Sequence, residues 1–190
     1  MTENPLVALI ATGTAPVETL ATLALEQQRV IPADRRAFLH LAQRATAQPE
    51  TADFFRTLAE GEAEAARRLT AFATACGVDE PRSRTYEPLP GCQSYPAYVA
   101  WLALNADPTD ALLALTSNFA EWGAYCATIA KALRHHYAFT NEACAFFDFF
   151  AEPAPAAPRV EPTDKELVRQ YSRALQHYEG SFWATLLPRP

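Results

Sequence analysis

At 190 residues, with 49% hydrophobic side chains, the chain can bury a substantial core, and its length points to a single domain over residues 1–190. Its 22 acidic and 16 basic residues leave a formal net charge of −6, which argues against a nucleic-acid partner because phosphate binding needs a positive face. No apolar run reaches membrane-spanning length and the first residues carry Glu3 without a basic leader, so neither membrane nor secretion is indicated, and the cytoplasm is the expected compartment.

Taken in order, residues 4–11 predict a short helix stopping at Gly13. Pro16, Val17 and Glu18 open a longer one, with proline and an acid at the favoured N-terminal positions. It runs over residues 17–30, and Pro32 interrupts or kinks it before residues 33–48 resume. Pro49 and Glu50 start the next, carried by Phe54, Phe55, Leu58, Leu69 and Phe72 to Cys76, with Gly77 as its stop. Its middle, residues 60–68, is acidic and then basic, the pattern of a solvated face.

Residues 79–95 read as loop, because Pro81, Pro88, Pro90 and Gly91 leave no room for an element. A short helix follows over residues 98–105, and Asp107-Pro108 begins a central one. Within residues 111–130 Glu121 is the only charge, so this helix belongs inside a bundle with neighbours all round. Arg134, His135 and His136 suit its C-terminal dipole. The stretch 140–150, with Phe146, Phe147, Phe149 and Phe150, predicts a short packed helix that can also serve an interface between copies. Pro153, Pro155, Pro158 and Pro162 make a stiff linker of about residues 151–163, and a last helix closes the chain over residues 164–187. Six to eight helices and no strand give an all-α, single-domain bundle.

An acid in an apolar helix is costly unless paired or facing a polar cavity, which makes Glu121 a site candidate. Asn118, Trp122 and Tyr125 lie on adjoining turns of the same helix. Glu179 stands near Phe182 and Trp183 on the last helix and is the second candidate carboxylate. Cys76, Cys92, Cys126 and Cys144 show no C-x-x-C spacing, so neither a disulfide framework nor a structural zinc is expected.

The run Tyr178-Glu179-Gly180-Ser181-Phe182-Trp183 resembles the E-x-x-F-W signature near the C-terminus of the TenA-like proteins, which include thiaminase II. Ala97-Tyr98-Val99-Ala100-Trp101-Leu102 resembles that family's A-Y-T-x-x-M/L segment, and Asn4-Pro5-Leu6-Val7 with Gly13 is similar to its H-P-F-V…G-x-L-P opening. The resemblance implies the haem-oxygenase-like helical bundle, no cofactor, and relatives that form dimers or tetramers. It also implies thiamin salvage by hydrolysis of an aminopyrimidine.

Carried over residue by residue, the family's C-terminal Glu falls at Glu179 and its stacking Tyr at Tyr98. Its nucleophilic Cys falls at Asn118, the aromatic four residues later at Trp122, and its early Asp at Gln27. An amide cannot replace a thiolate nucleophile, and Cys126 lies two turns away, roughly 12 Å by the helical rise. A second branch of the fold holds two metal ions. Here the last helix offers only His177 beside Glu179, and Glu60, Glu62 and Glu64 have no His among them, so no metal is expected. A haem role has His40 as its single candidate ligand.

The expectation is therefore a pocket between the central and closing helices for an aminopyrimidine-like small molecule. Tyr98, Asn118, Trp122, Tyr125, Gln27 and Tyr178 would contact it, and Glu121 and Glu179 would be its working carboxylates. Hydrolysis there would use water in place of Cys. The rival expectation is a non-catalytic binding or interaction protein, its cavity closed and both carboxylates paired with Arg.

Overall fold

Helix follows helix through the computed structural model, which describes residues 4–188 and contains no strand among them. The nine helices among the described residues are α1 (Pro5–Ala11), α2 (Val17–Arg44), α3 (Pro49–Ala75), α4 (Glu80–Thr85), α5 (Pro90–Asn105), α6 (Pro108–Thr116), α7 (Phe119–His136), α8 (Asn141–Ala151) and α9 (Lys165–Thr185). Local chemistry sets most of the starts. Asn4, Asp79, Asp107, Thr140 and Asp164 each accept a hydrogen bond from a first-turn amide, and α1, α3, α4, α5 and α6 carry proline in their first turn. Gly13 ends the first helical segment at φ +71°, a left-handed conformation that glycine tolerates best.

Three expectations are corrected. Residues 79–95 are not loop: they hold α4 and the first turns of α5, because Pro81 and Pro90 sit at first-turn positions where a missing N–H breaks no helical bond. Pro32 does not divide its helix, and α2 runs through it for 28 residues. The central stretch 111–130 is two helices. Thr116 Oγ1 returns a bond to the Leu112 carbonyl at 2.8 Å and Ser117 Oγ one to Ala114 at 2.6 Å, and this hydroxyl-to-carbonyl bonding ends α6 before Asn118. Nor is α7 buried all round: Ala120, Ala124, Ala127 and Thr128 face outward, small enough to be neutral at a surface.

The interior falls into two apolar clusters. One gathers Leu6, Ile10, Leu20, Phe72, Ile129, Leu133, Phe146, Phe147, Phe182 and Trp183 from α1, α2, α3, α7, α8 and α9. The other gathers Phe38, Leu41, Phe55, Val99, Leu102, Leu112, Leu115 and Leu175 from α2, α3, α5, α6 and α9. Phe146 and Phe147 are fully buried in the core, and Phe149 and Phe150 are half-buried against it. Tyr95 packs against both clusters and marks the waist between them. Near this waist α2 and α5 each continue through an internal proline, Pro32 and Pro96, and the helical run breaks between α6 and α7.

Residues 152–163 form a proline-rich strap from α8 to α9. Asp110, buried in α6, pins its far end, accepting from the Thr163 amide at 2.7 Å and from the Thr163 hydroxyl. Asp110→Ala is expected to lower stability by about 2 kcal/mol, the scale of hydrogen bonds to a charged acceptor, and to speed proteolytic cleavage within the strap. Unchanged cleavage would show that the prolines alone hold it.

Candidate functional site

A cavity of about 410 Å³ opens at the waist between the two apolar clusters. That volume lies within the roughly 300–1,000 Å³ typical of small-molecule pockets. Successive turns of α2 line it with Gln27, Val30, Ile31, Asp34 and Phe38, one face of a helix at three- and four-residue spacing. Thr57, Leu58, Gly61 and Glu62 come from α3, Tyr95 from α5, Asn118 and Trp122 from the start of α7, and Phe149 and Phe150 from α8. The wall is completed by Glu179, Phe182 and Trp183 of α9 and by Glu152, Pro153, Ala154 and Pro155 of the strap. Gly123 lets α8 approach α7, since a Cβ there would lie 3.0 Å from the Phe150 carbonyl oxygen. Phe150 thereby meets Trp122 edge-on at 5.6 Å, and Trp122 meets Trp183 at 5.9 Å.

Glu179 is held by two donors. The Asn118 side-chain amide donates to Oε2, and the Trp183 indole N–H to Oε1 at 3.3 Å. Asn118 occupies the N-cap position of α7 yet bonds no amide of that helix, because its side chain is turned to Glu179 instead. Burial raises the Glu179 carboxyl to about 7; the Trp183 bond opposes the rise and the nearby charge of Glu121 adds to it. A carboxyl with that value is divided between acid and base near neutral pH, the condition for proton transfer in either direction.

Asp34 and Glu62 are the other inner carboxyls. Burial raises Asp34 from 3.8 to about 8. Glu62 is pushed well above the ordinary range by burial first and by the charge of Asp34 second. Tyr95 lies close to all three acids: burial pushes its phenol upward, and Asp34, Glu179 and Glu62 add to the rise.

Of the residues singled out in the sequence, Gln27, Asn118, Trp122 and Glu179 line the cavity. Glu121 does not; it accepts a hydrogen bond from the Tyr125 hydroxyl at 2.8 Å, and Tyr125 in turn stands edge-on to Trp183 at 5.8 Å, one layer behind the wall. Neither Glu121 nor Glu179 forms an ion pair with Arg among the described residues. Tyr98 and Tyr178 pack on each other at 5.0 Å, and Tyr98 stacks on half-exposed Trp101 at 5.6 Å, on the flank of α5 and α9 and away from the cavity lining. Cys126 is fully buried in the first apolar cluster, its thiol pushed up by burial, and it does not reach the cavity.

Asp34, Glu62 and Tyr95 escaped the sequence reading. The signal for Asp34 was present, since residues 27, 31, 34 and 38 recur on one face of α2. Glu62 was hidden in a charged run read as solvated. Glu64 and Arg67 of that run do face outward and pair with each other, whereas Glu62 turns inward. Among the described residues no three His, Cys, Asp or Glu side chains converge to hold a metal ion.

Two solved structures share the architecture. A TenA homologue from P. horikoshii OT3 superposes with a TM-score of 0.70 at 15% identity, covering 97% of this chain and 89% of that one. A domain of unknown function with a heme oxygenase-like fold from Shewanella denitrificans OS217 gives 0.67 at 17% identity, covering 97% and 78%. Likeness at such low identity establishes the fold, and no curated protein sequence gives a significant match. The profile of the TENA/THI-4/PQQC family, however, matches residues 2–188, nearly the whole length, and the chain belongs to that family.

Proposed function

We propose that the cavity is a binding site for a flat, nitrogen-rich heterocycle of the aminopyrimidine class, read by Glu179 and Asn118 between the rings of Trp122, Phe150 and Trp183. The observation that carries this reading is the Asn118–Glu179 pair at the wall of an aromatic cavity. A carboxylate accepts from an exocyclic amine and a ring N–H, an amide both donates and accepts, and aromatic walls stack on a planar ring. Glu179, raised to about 7, exchanges a proton with such a ring near neutrality. Hydrolysis at this site would draw its nucleophile from water, because Asn118 has no ionisable sulfur and Cys126 is sealed in the core.

A non-catalytic binding role is the second reading. It is favoured by the bond that already occupies Glu179 Oε2 and ties the carboxylate to Asn118. Turnover of an aminopyrimidine, followed by release of its amine or leaving heterocycle, separates the two.

The test is a thermal-shift series with aminopyrimidines, thiamin and its fragments. A ligand at a hundredfold its Kd adds about 2.7 kcal/mol, equivalent to roughly 5–10 °C in a chain of this length. The shift is expected in wild type and absent in Glu179→Gln. No shift with any compound sinks the heterocycle reading. A shift that survives in Glu179→Gln moves the binding site elsewhere.

A further inference from the structure

The charge of the cavity wall is one-sided. Four carboxyls, Asp34, Glu62, Glu152 and Glu179, face it, and no Lys, Arg or His is among its lining residues. Arg68 lies over the Phe149 ring at 5.0 Å and bonds Glu64 at 2.6 Å, so its charge is engaged outside the wall. Glu179 has Asn118 and Trp183 as donors. Asp34 has no such support: it is 6% exposed, and its Oδ1 is sealed from solvent with no hydrogen-bond partner. Buried carboxyl oxygens without a partner are rare and unfavourable, and the residue that carries this one is part of the cavity wall.

Packing of α2 against α3 brings the two acids together on the cavity wall, where the charge of Asp34 opposes the ionisation of Glu62. Two such acids keep protons when nothing faces them. A cation placed between them reverses the balance, since it pairs with the ionised forms and donates hydrogen bonds to them.

We propose that Asp34 and Glu62 form a second polar subsite of the cavity, one that takes a protonated amine or an amidinium group of the ligand. The subsite makes the ligand cationic and selects against phosphorylated or carboxylated compounds, which would meet four acids and no base. It rests on the cavity being a ligand site and does not depend on the ring being an aminopyrimidine. Neither residue occupies a position at which the family's motif residues fall in this chain, namely Gln27, Tyr98, Asn118, Trp122 and Glu179.

Three probes of one shape test it by calorimetry near pH 7.5: benzamidinium, its neutral isostere benzamide, and benzoate. Benzamidinium is expected to bind wild type at least about tenfold more tightly than benzamide, the scale of a charge-assisted over a neutral hydrogen bond. Benzoate is expected not to bind. Asp34→Asn and Glu62→Gln should each bring the cation-to-neutral ratio within about threefold, while Glu64→Gln, on the outer side of α3, should preserve it. Circular-dichroism melting establishes that each variant is folded, and if one is not, the other carries the test.

Equal affinity for benzamidinium and benzamide, absence of benzamidinium binding at millimolar concentration, or a preference that persists in both Asp34→Asn and Glu62→Gln would overturn the assignment. So would a preference abolished by Glu64→Gln alone. A preserved cation preference together with no aminopyrimidine shift would retire the heterocycle reading and leave this subsite standing.

Discussion

Replacing Glu26 with Ala is expected to lower the free energy of unfolding by about 3–5 kcal/mol, the range for breaking a buried charged hydrogen-bonded group. Glu26 is fully buried in α2, and its carboxylate gathers three donors, two from the segment between α4 and α5 and one from the first turn of α5. The Tyr86 hydroxyl reaches it at 2.5 Å, the Leu89 amide at 2.7 Å and the Gln93 side-chain amide at 2.7 Å. Truncation leaves all three unsatisfied and opens a void among them. The bonds fix where α5 begins, and α5 carries Tyr95 to the cavity. Glu26→Gln should be milder, about 1 kcal/mol, because an amide still accepts from Tyr86 and Leu89 while Gln93 can rotate to present its oxygen. Urea unfolding measures both. An unchanged midpoint for Glu26→Ala would show that the α4–α5 segment holds its place without this carboxylate. Its melting temperature is expected to fall by roughly 10 °C, using the usual 2–4 °C per kcal/mol for a chain of this size.

Asp34→Asn is expected to act in the opposite direction, and only as the pH rises. Asp34 titrates at about 8 in the fold against 3.8 as its ordinary value, so between those limits the folded protein holds a proton that the unfolded chain has released. Stability therefore falls as pH increases through that window, by at most about 1.4 kcal/mol per pH unit from this group. Below pH 4 both states are protonated and the penalty vanishes; above 8 it is complete and constant. Glu179, raised to about 7, adds a loss of the same sign that ends near neutrality. Asparagine removes the Asp34 contribution while preserving its shape. Urea unfolding at pH 4, 6 and 8.5 should show a variant close to wild type at the first, more stable at the second, and most stable by several kcal/mol at the third. A difference independent of pH, or a variant weaker throughout, would mean that Asp34 is ionised in the fold and supported by a donor. The unfavourable acid is retained in the native chain at a position that faces the cavity, as expected where binding and stability conflict.

The reach of sequence reasoning can be judged residue by residue. Prolines at 5, 49 and 108 and the caps Asn4, Asp107, Thr140 and Asp164 mark helix starts through bonds made within a few residues, so local chemistry reveals them. The same locality misleads at residues 79–95, where two first-turn prolines look like breakers, and the buried Glu26 some 60 positions away supplies the bonds that order the segment. Glu179 and Asn118 stood out through helical spacing and motif resemblance. Their bond to each other spans 61 positions and needs the break between α6 and α7 to turn Asn118 inward.

What the sequence by itself determined is the all-helical class, the order of most helices, the family and four residues of the cavity wall, Gln27, Asn118, Trp122 and Glu179. Periodicity, caps and short motifs are properties of neighbouring residues and are written along the chain. Tertiary structure alone decided which of two similar acids faces the cavity, Glu62 inward and Glu64 outward, and set Asp34 without a partner beside it. It also left Tyr98 and Tyr178 on the flank with each other. The physical reason is that burial and charge environment are sums over side chains brought together from seven helices and a strap. No window of sequence contains that sum.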